Sequence, residues 1–148
     1  RIERQKKLES LEMPKVSGVA SLDNLAANST ILLAATNKLN LEVPELYKRT
    51  VGESIDGITD VTVKKPTLEE LESVAKTILL QIETVGNYSA VLGTVAGDVK
   101  NVNPLAAGKA LKVLNFNKDV IALTLPELKN NLSVIKNLIS TIKTSDNL

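Results

Sequence analysis

The sequence predicts an all-α fold, a compact single-domain bundle of about five or six antiparallel helices. Three observations predict it. Apolar residues recur at spacings of three and four, most regularly in LPELKNNLSVIKNLISTIK from Leu125 to Lys143. Capping residues punctuate the starts of these stretches. The composition is 43% hydrophobic but only 2% aromatic, with Tyr47, Tyr88 and Phe116 as the only rings. A core built from Leu, Ile, Val and Ala suits helices meeting along ridges better than a sheet, whose strands draw on aromatic and branched residues together.

Taken in order, residues 1 to 18 form a peripheral charged helix and connector, and residues 19 to 145 the helical bundle domain. RIERQKKLESLE, residues 1 to 12, is rich in helix formers and charge, with a thin apolar edge of Ile2, Leu8 and Leu11. Ser21 is an N-cap for a helix to about Leu39, with Leu22, Leu25, Leu32, Leu33 and Leu39 on one side. Pro44 breaks it, because the residue before a proline is pushed out of helical geometry. A weaker helix follows from about Pro44, marked by Tyr47, Val51, Ile55 and Ile58, and DVTVKK (residues 60 to 65) is a loop. Thr67-Leu-Glu-Glu70 is a capping box opening a helix through Leu71, Ala75, Ile78, Ile82 and Val85. Gly86 and Asn87 end or bend it, and Ser89 caps a further helix through Leu92, Val95 and Val99. Asn103-Pro104 opens a short helix to about Leu114. Thr124 and Glu127 form a second capping box, with Pro126 in the first turn of the last helix.

In that last helix Leu125, Leu132 and Ile139 fall seven apart, and Leu128, Ile135 and Ile142 interleave with them. This heptad stripe is the candidate core or interface surface. Lys129, Lys136 and Lys143 recur at the same period and form its candidate polar flank. The helix from 67 to 85 carries Glu69, Glu70, Glu72 and Glu83 against one Lys76, so a basic helix beside an acidic one could set the pairing. The stripe spans about two and a half repeats, and Val134 and Leu138 widen it, which favours burial in a bundle over a coiled coil with another chain.

Composition also bounds function. The chain has 18 basic and 17 acidic residues, a net charge of +1, which gives no electrostatic argument for nucleic acid. No uncharged apolar run approaches the roughly 18 residues of a membrane span. Without Cys the compartment cannot be read, so localisation stays open. The sequence opens at Arg1 with neither an initiator Met nor an apolar signal segment, which reads as a processed product or a piece of a longer polypeptide.

With neither His nor Cys, the usual zinc sites and the Ser-His and Cys-His nucleophiles cannot be assembled from this chain alone. Ser-x-x-Lys occurs at Ser73/Lys76, Ser133/Lys136 and Ser140/Lys143. Three copies in a Ser- and Lys-rich helical chain are better explained by spacing than by catalysis. Glu69, Glu70 and Glu72 read as acids favoured at a helix N-terminus. Asp56 and Asp60 flank Gly57 without the remaining ligands of a calcium loop. GTVAGD (93 to 98) and AAGKAL (106 to 111) lack the full phosphate-loop run, and Gly93 and Gly97 read instead as a place where two helices approach closely. Asn28, Asn87 and Asn131 head N-x-S/T triplets, a number chance can supply.

The stretch from about 67 to 99, TLEELESVAKTILLQIETVGNYSAVLGTVAGDV, resembles in style the helical N-terminal part of the autoproteolysis-inducing domains of adhesion receptors and polycystin-like proteins. It contains no diagnostic motif, and the cleavage-site half of such a domain is absent. The likeness therefore implies nothing about this chain's activity.

The expected function is a non-catalytic helical interaction or structural module, with no catalytic residue, cofactor or metal assigned. Its expected partner is another protein or another part of the same polypeptide. The alternative is a carrier of an apolar small molecule, a lipid or acyl chain, in the bundle interior.

Overall fold

Four helices carry the chain in a computed structural model, which describes residues 2–52, 54–55, 58–59, 64–99 and 102–146. They are α1 (Ile2–Ser10), α2 (Ala20–Val51), α3 (Leu68–Asp98) and α4 (Pro104–Asp146). A two-residue antiparallel bridge, β1 (Ser54–Ile55) with β2 (Ile58–Thr59), lies between α2 and α3. The architecture is all-helical, as the apolar spacing predicts, but it uses four helices where five or six were expected.

Three of the expected breaks do not occur, and each fails for the same reason. In α2 the buried residues Leu32, Thr36, Leu39, Val43, Leu46 and Thr50 keep alternating spacings of four and three straight past Pro44. Pro44 is itself exposed and removes one backbone donor, but the buried stripe on either side holds the helix on course. Tyr47 and Val51, expected to mark an apolar face, lie on the outside at 50% and 52% exposure. Helix α2 ends at Gly52, whose positive φ of 81° is costly for other residues and whose N–H donates to the Lys48 carbonyl at 2.8 Å. In α3, Leu71, Ile78, Val85 and Val95 are buried and Leu92 half-buried, so the inward face continues through Gly86 and Asn87, which are both exposed. In α4 the buried series Ala110, Val113, Asn117, Val120, Thr124, Leu128, Asn131, Ile135 and Leu138 runs unbroken across Leu114 and Pro126.

Thr124 and Glu127 are accordingly not a capping box. The Thr124 hydroxyl donates to the Val120 carbonyl at 2.7 Å, as hydroxyls do inside a helix, and Glu127 is drawn into a tertiary ion pair. Ser21 is not the cap of α2 either. Val19 occupies that position without a side-chain bond, and the Asp23 carboxylate reaches back to accept from Ser17 N–H, Ser17 Oγ and Gly18 N–H at 2.8, 2.9 and 3.0 Å. The caps at Thr67 and Asn103 form where expected. Thr67 Oγ1 accepts from Glu70 N–H at 3.0 Å, and Asn103 Oδ1 from Leu105 N–H at 3.0 Å.

Side-chain bonds fix the directions. Arg49 at the end of α2 meets Glu70 at the start of α3, and Ser21 Oγ at the start of α2 donates to Asp98 at the end of α3 (2.8 Å). These two helices are therefore antiparallel. Asn117 reaches the Leu22 carbonyl and Asn131 reaches Asn40, which sets α4 parallel to α2. Helix α4 packs along both α2 and α3, while α2 and α3 touch each other far less. Helix α1 lies antiparallel to α4 in the groove that α4 forms with α2, with Leu8 fully buried. The other residues of α1 are exposed, apart from the half-buried Arg4 and Gln5.

Gly93 and Gly97 do not mediate a close approach. A Cβ built at either would meet nothing within 4 Å, and the same holds for Gly86 and Gly108. The DVTVKK segment lies outside the described residues as far as Val63, and Lys64 and Lys65 are non-helical. Asp56, Gly57 and Asp60 also lie outside them.

The Arg49–Glu70 pair closes the α2–α3 end of the bundle, with guanidinium nitrogens at 2.8 and 3.2 Å from the two carboxylate oxygens. Hydrogen bonding from Arg49 holds the Glu70 carboxyl below its ordinary range, helped by the charge of Arg49 and by the Thr67 backbone, the reciprocal half of the capping box. Both side chains are partly exposed, 23% for Arg49 and 39% for Glu70, so solvent screening keeps the contribution to about 1 kcal/mol or less. Because the folded carboxyl titrates lower than the unfolded one, this stabilisation is present above the unfolded carboxyl range and is lost as pH falls through the folded value. Chemical denaturation of Glu70→Gln against the parent should show a small deficit at pH 7 that vanishes in acid. A deficit independent of pH would show that the pair does not act through charge.

Candidate interaction groove

The heptad stripe of α4 divides by burial. Leu128 and Ile135 are fully buried, and Leu125, Leu132, Ile139 and Ile142 are half-buried and packed against the same aliphatic core. Lys129, Lys136 and Lys143 are exposed beside it. Among the described residues none of these lysines pairs with a glutamate of α3; the ion pairs formed there are Arg4–Glu127, Lys38–Glu42 and Arg49–Glu70. The acidic helix is tied to α2 through Arg49.

What the sequence reading missed is a set of polar residues interleaved with the buried apolar positions of α4. Asn117, Thr124, Glu127 and Asn131 are all fully buried along the face toward α1 and α2. On α2, Ser29 and Thr36 are fully buried as well. The amide of Asn131 donates to Asn40 Oδ1 at 3.0 Å, and that of Asn117 to the Leu22 carbonyl at 3.4 Å. Ser29 Oγ, Asn117 Oδ1 and Asn131 Oδ1 have no partner among the described residues. A polar seam thus runs through the α2–α4 contact, where a purely aliphatic face would be expected.

Helix α1 covers part of this seam. Arg4 Nε donates to Glu127 Oε1 at 2.7 Å and Gln5 Nε2 to Glu127 Oε2 at 3.3 Å. Glu127 is fully buried, and these bonds satisfy both of its carboxylate oxygens. One turn further on, Leu8 fills the groove, a burial worth about 1.5–3 kcal/mol. Leu11 packs at the edge. Nine residues are too few to hold a helix in isolation, so α1 owes its shape to these contacts.

A recess also opens between α2 and α4. Val43, Pro44, Tyr47 and Val134 line a recess of about 390 Å³ with Lys48 beside them. Apart from that lysine its walls are apolar side chains and a proline ring. It is a shallow trough between α2 and α4.

Other residues weighed for chemistry are dispersed. All members of the three Ser-x-x-Lys pairs are exposed on helix surfaces. Glu69 and Glu72 are exposed, and among the described residues no cluster of three acidic side chains is placed to hold a metal ion. The glycine runs at 93 to 98 and 106 to 111 lie within α3 and α4. Of the three N-x-S/T asparagines, Asn28 and Asn87 are exposed on helices, whereas Asn131 is buried and inaccessible to a glycosyl transfer in the folded state. No helix among the described residues is long and apolar enough to cross a membrane.

Compared with known proteins, the chain matches no family, and neither a curated protein nor a solved structure is significantly similar to it.

Ile135 tests the stripe. An unpaired carboxylate placed there costs several kcal/mol, comparable to the total stability of a domain this size. Ile135→Asp should lose its helical circular dichroism and its cooperative melt. A variant that stayed as stable as the parent and lost only self-association would make the stripe an external interface.

Proposed function

We propose that the chain is a non-catalytic helical interaction module that contacts another polypeptide through the trough between α2 and α4. The observation that carries this reading is the trough itself. Val43, Pro44, Tyr47 and Val134 offer an apolar strip between α2 and α4. Tyr47, at 50% exposure, supplies a large rigid ring at low entropic cost, a residue type that anchors protein contacts. The reading of the chain as a lipid or acyl carrier in the bundle interior has less support, because the seam between α2 and α4 is polar and its apolar positions are filled by side chains.

Native mass spectrometry of the protein purified from its own source separates the two readings. The module reading expects it to arrive with a second polypeptide, and expects Tyr47→Glu, a change on the surface, to abolish that co-purification while leaving the melt unchanged. A bound mass of a few hundred daltons, retained by Tyr47→Glu, would contradict the module and favour the apolar carrier.

A further inference from the structure

We propose that the chain associates with a second copy of itself, the lysine face of α4 on one molecule docking against the glutamate-lined groove between α2 and α3 on the next. These surfaces are separate from the α2–α4 trough. The first support is the placement of charge. Lys129, Lys136 and Lys143 are exposed along α4, and none of them forms an ion pair among the described residues. Lys129 and Lys136 flank Leu132 in a shallow groove on that helix. The groove between α2 and α3 places Glu42, Glu45 and Glu70 around the apolar side chains of Leu46 and Val74. Glu69 and Glu72, both exposed, extend the acidic surface along the first turns of α3. Arg49 is the cation lining this groove, and Glu70 already occupies it. Lys38 offsets Glu42 only weakly, at 3.7 Å and in solvent, and Glu45 and Glu69 form no ion pair among the described residues.

The second support is geometry. Helix α4 packs along both α2 and α3, so its exposed lysine side faces away from them, and the acidic groove is lined by α2 and α3 alone. The two charged surfaces therefore cannot meet within one molecule, but they can meet between two. They also lie at the same level of the bundle. Asn131 of α4 bonds to Asn40 of the parallel helix α2, and Lys136 lies as many residues past Asn131 as Glu45 does past Asn40. Arg49 fixes Glu70, and with it Glu69, a turn beyond Glu45, while Lys143 stands about 10 Å beyond Lys136 at ~1.5 Å per residue. A second copy set beside the first without rotation thus brings Lys136 to Glu42 and Glu45 and Lys143 towards Glu69. With a net charge of only +1, the copies do not repel as wholes. The contact joins two different patches, so each added molecule leaves one lysine face and one acidic groove free at the ends of the row. Exposed ion pairs are individually weak and screened, so the association is reversible and salt-sensitive.

Sedimentation velocity of the full chain tests this. At about 0.01 M salt, where the Debye length is ~30 Å, the parent should show species larger than a monomer that grow with concentration, and about 0.15 M salt should weaken the association roughly tenfold or more. Lys136→Glu/Lys143→Glu and Glu42→Gln/Glu45→Gln change exposed side chains, so each should melt as the parent does and remain monomeric at low salt. Mixed together they should form a dimer that grows no further, because the intact groove of the first variant accepts the intact lysines of the second while the other two surfaces no longer match. Tyr47→Glu, which alters the trough, should associate as the parent does, so loss of co-purification in that variant and loss of self-association report on different surfaces. A parent chain that stays monomeric at low salt would overturn the proposal. So would self-association that survives both charge variants, or variants that remain monomeric when mixed.

Discussion

The fold depends on α4 serving as a shared wall. Helices α2 and α3 each pack along its length and meet each other much less, so α4 must remain straight enough over 43 residues to present two faces at once. Its buried series from Ala110 to Leu138 meets that demand, with Val113, Val120, Leu128 and Ile135 all at 1% exposure or less. An aliphatic core with few rings packs well in this geometry but says little about register, because one Leu or Val resembles the next a heptad away. Polar groups supply what the aliphatic residues do not. Sliding α4 by a heptad along α2 would separate Asn131 from Asn40 and strand buried amides, at a cost of about 1–3 kcal/mol for each group left unpaired.

The same polar seam explains the place of α1. A carboxylate as deeply buried as Glu127 is tolerable only with a cation and a donor at hand, and Arg4 and Gln5 provide both from the opposite side of the groove. Stability and exposure of the groove are therefore linked through one residue. While α1 is seated, Glu127 is paired and covered; the hydrophobic contribution of α1 itself comes mainly from Leu8.

How much of this was legible in the sequence depends on whether a residue's local preference agreed with its tertiary role. Thr67, Glu70, Asn103 and Pro104 act as local caps and were readable as such. Pro44, Gly86 and Pro126 carry strong local signals to stop, and these are overridden because the buried residues before and after each keep one helical phase. Thr124 and Glu127 misled most, since a hydroxyl followed three residues later by a carboxylate looks alike at a helix start and on a buried seam. The sign that could have separated them was periodic: Asn117, Thr124 and Asn131 recur every seven residues, in step with the apolar stripe. The groove was not legible at all, because Val43, Tyr47 and Val134 come together only once α2 and α4 are paired in parallel.

The central claim, one continuous α4 with α1 as the least firmly held element, is tested most directly by native-state hydrogen exchange resolved at single amides. Amides of residues 113 to 138 should exchange only through global unfolding, with no break in protection around residues 126 to 130 beyond the donor that Pro126 lacks, while those of α1 open with a much smaller free energy. Two separately opening segments on either side of Pro126, or an α1 as protected as the core of α4, would contradict it.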